Sequence, residues 1–291
     1  MSIFKGSCVA LVTPFNEKGV DFDRLKELIN WHIENKTDSI LVCGTTGEGS
    51  TMSLEEKKEV ITFTVKEVNG RVPVIAGTGT NNTRASIDMS IFAENAGVDG
   101  LLVITPYYNK TSQKGLYAHF EAVNNAVKTP IILYNVPSRT NMNISPEMLL
   151  KLSSLNNIVA IKEASGDFSQ IAQMRALCPN IDIYSGNDDQ IVPLLSLGGV
   201  GVISVLANIC PKETHDMCQF YFDGEVEKAK DLQLQYLDVI NKLFIETNPI
   251  PVKTAMKLIN KDCGELRLPL CEMEENNFKS LKNSLEKQNL L

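Results

Sequence analysis

A lysine at the end of an apolar run is the residue in this sequence best suited to covalent chemistry. Lys162 follows the four apolar residues 158–161, and burial there would disfavour its charged form. A neutral amine can attack a ketone and form an imine, so Lys162 is a candidate nucleophile. The alternative is a structural lysine whose ammonium group reaches the surface or pairs with the adjacent Glu163.

Other polar residues follow neighbouring apolar runs. Tyr134 ends the run 130–134, where its phenol could move protons beside Lys162 or simply be packed in the core. Residues 44–50, Gly-Thr-Thr-Gly-Glu-Gly-Ser, follow one run and precede a helical segment, where backbone N–H groups and hydroxyls can hold a carboxylate. Arg139 could bind a second carboxylate in bidentate fashion, or be a solvated loop arginine.

Eight short apolar runs, each followed by a segment with helical periodicity, indicate a repeated βα pattern. The runs are residues 8–12, 39–43, 72–76, 100–104, 130–134, 158–162, 181–185 and 199–204. Their near-continuous apolarity is typical of parallel strands buried on both faces. We therefore predict an α/β fold, a (β/α)8 TIM barrel, with a doubly wound open sheet as the alternative. The candidates above then lie at the C-terminal ends of strands, where such barrels carry their active sites.

The strand pattern stops after Asn208, and the rest of the chain is predicted to be helical. The helical segments are residues 212–223, 225–246, 251–260 and 272–287. We predict a catalytic barrel over residues 1–223 and a C-terminal helical extension over residues 224–291. Since no Pro/Gly/Ser-rich linker separates them, the extension is expected to pack on the barrel.

Composition and charge exclude several classes of function. With 28 Lys and Arg against 35 Asp and Glu, the formal charge of -7 offers no basic surface for nucleic acid or an anionic membrane. No segment reaches the roughly 18 apolar residues of a membrane span, and no signal-peptide pattern is present, so a cytoplasmic location is expected.

Metal binding and disulfide formation are not expected from the cysteines and histidines. The seven cysteines include no C-x-x-C pair and are expected to be reduced, mostly packed thiols. The three histidines are dispersed, so no metal site is predicted. The pair Asp188-Asp189 is expected to open a helix, where acidic residues suit the helix dipole.

Five motifs in order resemble those of the dihydrodipicolinate synthase family, within the N-acetylneuraminate lyase superfamily, over essentially the whole chain. They are GTTGE at 44–48, ITPYYN at 104–109, YNVPSRT at 134–140, IKEASGD at 161–167 and NPIPVK at 248–253. Several independent motifs in the right order are far more specific than any one of them.

The resemblance implies that Lys162 forms a Schiff base with pyruvate, and that Tyr134, Thr46 and Tyr108 form a proton relay. It implies condensation of pyruvate with L-aspartate 4-semialdehyde, in the diaminopimelate route to lysine, without a dissociable cofactor. The residues implied to bind substrate are Thr45, Thr46, Arg139, Gly186 and Ile203. The family also implies a homotetramer built from two dimers, with Tyr107 and Tyr108 at the dimer interface and Tyr108 reaching into the neighbouring subunit's site.

The sequence departs from the family at two places. Feedback inhibition by lysine is predicted to be weak or absent, although Asn81 and Tyr107 remain, because the histidines and glutamate of lysine-inhibited relatives are replaced. The replaced positions are Leu54, Lys57 and Ala85, with Gly49 and Ser50 also altered. Asn141 stands where many relatives have glycine, which leaves the shape of that loop open.

Two other functions remain open at this point. Another class I pyruvate aldolase, such as N-acetylneuraminate lyase, would share Lys162 and Tyr134. Arg139 and Thr45 argue against it, because sialic acid lyases usually lack that arginine and begin the anion loop with Gly-Ser-Thr. A catalytically retired barrel that only binds a metabolite should have lost part of the chemical set, whereas the complete set is present.

Overall fold

The eight predicted strands form a closed parallel barrel in the computed structural model, which describes residues 2–291. Each barrel strand pairs with the next along the chain, and the last strand pairs with the first. The strands are Gly6–Ala10, Ser39–Val42, Val74–Gly77, Gly100–Ile104, Ile131–Asn135, Ile158–Glu163, Asp182–Ser185 and Gly201–Ser204. The predicted TIM barrel is confirmed and the open sheet is excluded.

Side chains from alternate strand positions fill the interior of the barrel. This inner cluster contains Phe4, Cys8, Ala10, Leu41, Ile75, Leu102, Ile132, Tyr134, Val136, Ala160, Tyr184 and Ile203. Near the N-terminal end of the first strand, Tyr184 stacks on Phe4 with ring centroids 4.2 Å apart and donates a 2.7 Å hydrogen bond to the Phe4 carbonyl. The barrel interior near this end is therefore a packed core.

Helices surround the barrel and are packed against the outward-facing apolar side chains of the strands. The helix after the second strand begins at a capping box: Ser53 Oγ accepts from Glu56 N at 3.1 Å, and Glu56 Oε2 accepts from Ser53 N at 2.9 Å. The α-helices up to residue 222 are Phe22–Glu34, Leu54–Val68, Thr83–Ala96, Gln113–Ala126, Pro137–Thr140, Pro146–Leu152, Phe168–Leu177, Ile191–Ser196 and Pro211–Phe222. A two-stranded hairpin, Phe15–Asn16 with Gly19–Val20, follows the first barrel strand.

The C-terminal extension consists of the helices Val226–Gln235, Leu237–Lys242, Ile250–Leu258 and Glu275–Lys287. The single helix predicted over residues 225–246 is wrong. Tyr236, with φ -89° and ψ 0°, separates two helices but stays close to helical geometry, so the apolar periodicity continues across the break. The boundary at residue 223 stays a prediction; it falls between two helices. No helix within residues 2–291 is long and apolar enough to cross a membrane.

Candidate active site

A cavity of about 150 Å³ lies at the C-terminal ends of the barrel strands. It is lined by Ala10, Leu41, Thr45, Thr46, Leu102, Tyr134, Val136, Ser138, Arg139, Lys162, Ala164, Gly186, Asn187, Val205, Phe244 and Asn248. Six residues that the sequence indicated as functional are therefore brought together from separate segments of the chain: Thr45, Thr46, Tyr134, Arg139, Lys162 and Gly186.

Lys162 and Tyr134 face each other across neighbouring strands. Their Cα atoms are register partners, and the Lys162 Nζ lies 4.3 Å from the centroid of the Tyr134 ring. Only 6% of Lys162 and 7% of Tyr134 is exposed. The arrangement places a primary amine in a small, mostly enclosed cavity with a phenol beside it, which suits imine formation with a compact ketone.

Glu163 does not pair with Lys162, because successive strand residues point to opposite faces. Its buried carboxylate accepts from the Ser165 N–H at 2.6 Å and from Asn135 Nδ2 at 2.9 Å. Burial raises the pKa of the Glu163 carboxyl above its usual value, although these hydrogen bonds oppose the shift. The structural alternative for Lys162, an ion pair with its neighbour, is therefore excluded.

The loop 44–50 is folded tightly against the barrel. Gly49 N–H donates to the Gly44 carbonyl at 3.1 Å, and Thr13 Oγ1 donates to the Gly47 carbonyl at 2.7 Å. Thr46 is 3% exposed, and its Oγ1 accepts a 2.9 Å hydrogen bond from Asn248 Nδ2. Because that bond occupies an acceptor site on the hydroxyl, the Thr46 O–H stays available as a donor to an anion or to a neighbouring oxygen.

Arg139 lies at the mouth of the cavity on the short helix Pro137–Thr140. It is exposed, and its Nη2 donates to the Asn248 carbonyl at 3.4 Å, which leaves most of its donors free for a substrate carboxylate. Asn141 follows with φ 54°, in the left-handed region. Glycine and asparagine both adopt this conformation readily, so Asn141 fits the loop shape that glycine would take.

Three of the predicted residues lie away from the cavity wall. Ile203 is 1% exposed and belongs to the inner barrel cluster. Tyr107 and Tyr108 are 37% and 93% exposed, outside the cavity of the single chain. Tyr108 also has φ 68°, an uncommon backbone conformation for a bulky residue.

Sequence reasoning missed the contribution of the C-terminal extension to the cavity wall. Asn248 and Phe244 line the cavity, and Asn248 is 4% exposed. The available signal was the motif NPIPVK, which was noted without a role for its asparagine. A position about 200 residues after Thr46 in the chain gives no local pattern that places the two side chains in contact.

Asp188 opens a helix as expected, and it also makes a contact that the sequence did not indicate. Residues Asp188–Gln190 do open a helical segment, as a 3-10 turn before Ile191–Ser196. However, the buried Asp188 Oδ2 accepts from the N–H groups of Val205 and Leu206, each at 2.9 Å. The carboxylate therefore also links the ends of the last two strands.

The thiols and histidines are structural in the described chain. Six of the seven cysteines are buried and free, and burial raises the pKa of Cys8 to about 12, so the prediction of packed thiols is confirmed. Across residues 2–291, no three His, Cys, Asp or Glu side chains are grouped to hold a metal ion. Each histidine is on a helix and contacts a side-chain oxygen, as in the 2.9 Å contact of His215 Nδ1 with Asp38 Oδ2.

A closed parallel barrel with a buried lysine and a tyrosine at its C-terminal face places the protein among the (β/α)8 barrels, with a site whose groups could form an imine. The sequence model of the dihydrodipicolinate synthetase family matches residues 3–288. The chain therefore belongs to the dihydrodipicolinate synthetase family, and the family indicated by its motifs is confirmed.

Individual relatives match over almost the whole chain. The 4-hydroxy-tetrahydrodipicolinate synthase of Clostridium perfringens strain SM101 is 68% identical over 290 residues, covering 99% of this chain and all of the relative. The structure of the Aquifex aeolicus dihydrodipicolinate synthase is 45% identical with a TM-score of 0.96, and 99% of each chain is covered. The chloride-inhibited enzyme of Acinetobacter baumannii, complexed with pyruvate, is 42% identical with a TM-score of 0.96 over 99% of each chain.

Proposed function

We propose that this protein has the activity for which its relatives are named, 4-hydroxy-tetrahydrodipicolinate synthase, a lyase-type enzyme of lysine biosynthesis. Its substrates are pyruvate and L-aspartate 4-semialdehyde. The observation that carries the proposal is the buried Lys162 amine, 4.3 Å from the Tyr134 ring centroid in the cavity at the strand ends. The relative complexed with pyruvate supports this ketone as the first substrate.

In the first half of the reaction, the Lys162 amine attacks the ketone carbon of pyruvate. The carbonyl oxygen leaves as water and an imine forms, with Tyr134 moving the protons. Thr45 and Thr46 hold the pyruvate carboxylate through hydroxyl and backbone donors of the loop 44–50. The imine then accepts the electron pair released when the methyl group loses a proton, which gives an enamine.

In the second half, the enamine carbon attacks the aldehyde carbon of L-aspartate 4-semialdehyde, the aldehyde oxygen takes up a proton to become a hydroxyl, and the imine on Lys162 is restored. Arg139 at the cavity mouth binds the carboxylate of this second substrate. The substrate amino group then attacks the imine carbon, closes the ring and displaces the Lys162 amine, which regenerates the enzyme. Gly186, without a side chain, leaves room beside the Lys162 stem for the growing adduct.

Tyr108 completes the proton relay from a second subunit in the proposed homotetramer, a dimer of dimers. Its 93% exposure and left-handed φ fit a side chain held ready for a partner surface. Tyr107, also exposed at 37%, adjoins it on the proposed dimer interface. The relay of Tyr134, Thr46 and Tyr108 would therefore be complete only in the dimer.

Borohydride trapping tests the proposal. After incubation with pyruvate and sodium borohydride, peptide mass spectrometry should find a reduced pyruvate adduct on Lys162. Lys253, also buried but outside the cavity, is the internal control and should stay unmodified. A folded Lys162→Ala variant should give no adduct. Pyruvate binding without an adduct on the unchanged protein would instead support a retired, metabolite-binding barrel.

An aldehyde panel then separates this activity from that of other pyruvate aldolases. With pyruvate present, L-aspartate 4-semialdehyde should be consumed and N-acetylmannosamine should not. Arg139 favours the first, because its free guanidinium donors match the carboxylate that only the first aldehyde carries. Turnover of the sugar in place of the semialdehyde would move the assignment to N-acetylneuraminate lyase.

A further inference from the structure

A fully buried ion pair lies behind the loop 44–50. Lys253 Nζ is 2.7 Å from Glu48 Oε1, and the two side chains are 3% and 0% exposed. Glu48 Oε2 accepts from the Arg267 N–H at 3.0 Å, and Lys253 Nζ also donates to the Glu265 carbonyl at 3.0 Å. Both oxygens of the carboxylate are therefore held by residues of the C-terminal extension.

The same stretch of the extension is bound to the start of helix Leu54–Val68. Arg267 makes a bidentate pair with Glu56, at 2.7 and 2.6 Å, and its guanidinium lies 3.9 Å from the centroid of the Phe15 ring. The Lys253 ammonium lies 4.6 Å from the same ring. The extension therefore contacts both the loop 44–50 and the helix that follows it.

A buried ion pair gives little net stability, because desolvation of two charges offsets most of their attraction. Its position in the loop indicates what it does. Glu48 has φ 52°, a conformation disfavoured for residues with a Cβ. A Cβ on Gly47 would lie 2.9 Å from the Leu11 carbonyl, and one on Gly49 would lie 2.4 Å from the Cys43 carbonyl. The strand ends therefore confine the loop on one side, while the ion pair holds it on the other.

We propose that Glu48 and Lys253 are positioning residues that set the anion-binding loop, so that Thr45 and Thr46 face the carboxylate of the keto acid. The C-terminal extension is then a working part of the substrate site as well as a packing element. This inference rests on the proposed function only in taking a keto acid as the ligand of the loop.

The test compares single and double replacements. Glu48→Gln and Lys253→Met each leave one buried partner uncompensated and should lower the melting temperature, whereas the double variant should recover most of that loss because no unpaired charge remains. All three variants, including the double variant, should have a KM for pyruvate that is raised by about tenfold or more, because small displacements of binding groups weaken binding strongly. The KM for the aldehyde should change little.

A matched control loosens the extension elsewhere. Ser284 Oγ donates to Asp238 Oδ2 at 2.7 Å, between two helices of the extension, and Ser284→Ala should leave the KM for pyruvate unchanged. A normal pyruvate KM in the double variant, or an equal rise in Ser284→Ala, would overturn the inference. The affinity for pyruvate, measured by calorimetry, does not require an imine and therefore tests the positioning of the loop. A failure of the borohydride trap would concern the proposed function alone.

Discussion

Replacing Gly186 by alanine tests whether the space beside the Lys162 stem is needed for catalysis. Gly186 is not among the glycines with positive φ, so alanine meets no backbone strain and only the contacts matter. The added Cβ would lie 2.7 Å from Ala164 Cβ, 3.1 Å from Lys162 Cε and 3.2 Å from the Glu163 carbonyl oxygen. Carbon atoms prefer to be about 3.5–4.0 Å apart, so the nearest neighbour must move by about 0.8 Å or more.

Lys162 Cε, at 3.1 Å, must move by about 0.4 Å or more on the same reasoning, so the displacement should reach the reacting amine. A misplacement of about 1 Å in a catalytic group costs about a hundredfold in rate, or about 2.7 kcal/mol of transition-state stabilisation. Gly186→Ala should therefore lower kcat/KM for pyruvate by about this factor in a steady-state assay. Overpacking should also destabilise the fold by about 1–3 kcal/mol.

A second replacement tests whether the contact with Ala164 causes the loss of activity. Ala164→Gly removes the atom at 2.7 Å and leaves only contacts beyond 3.0 Å, so the double variant Gly186→Ala/Ala164→Gly should regain at least about tenfold of the lost kcat/KM. Ala164→Gly alone is the control and should be close to the unchanged protein. A double variant as slow as Gly186→Ala alone would refute the steric argument.

Four further outcomes are expected. Arg139→Ala should raise the KM for the aldehyde by about 10- to 100-fold through the loss of charge-assisted hydrogen bonds, while borohydride trapping of pyruvate should be unaffected. Burial lowers the pKa of His32 to about 3, so the unfolded chain binds one more proton than the folded chain between pH 6.5 and 3. The free energy of unfolding should therefore decrease as the pH is lowered through this range. His32→Leu should remove about 1.4 kcal/mol per pH unit from that slope in urea titrations. Tyr108→Ala should lower activity and weaken self-association together, measured by kinetics and sedimentation. L-lysine should not inhibit at low-micromolar concentration in a dose-response assay, because the side chains that would recognise it are replaced at Leu54, Lys57 and Ala85.

The parts of the fold that were predicted correctly depend on local pattern. Apolar runs of strand length predicted all eight strands to within two residues at either end. A hydroxyl and a carboxylate three residues apart, here Ser53 and Glu56, are a local signal for the start of a helix, and the helix begins at Leu54. Parallel strands bring their C-terminal ends to one face, so polar residues at those ends could be assigned to one site before any contact was known.

The parts that could not be predicted depend on contacts between distant segments. Asn248 reaches Thr46, and Lys253 reaches Glu48, across about 200 residues of chain. Nothing in the local sequence of Glu48 distinguishes a buried, paired carboxylate from a solvated loop residue. The hydrogen bonds of Asp188 were not predicted for the same reason: its partners, the N–H groups of residues 205 and 206, follow the next strand along the chain.

Two buried lysines in this chain show why burial alone does not identify a nucleophile. Lys253 is paired with the Glu48 carboxylate at 2.7 Å, which favours its charged form, although burial lowers its pKa. Among residues 2–291, Lys162 forms no ion pair, and its amine faces the Tyr134 ring and the cavity. The Lys253 amine is held by the Glu48 carboxylate and the Glu265 carbonyl, whereas the Lys162 amine has open space beside it where a ketone carbon can approach. The missing partner and the open space beside the amine, rather than burial, therefore make Lys162 the proposed nucleophile.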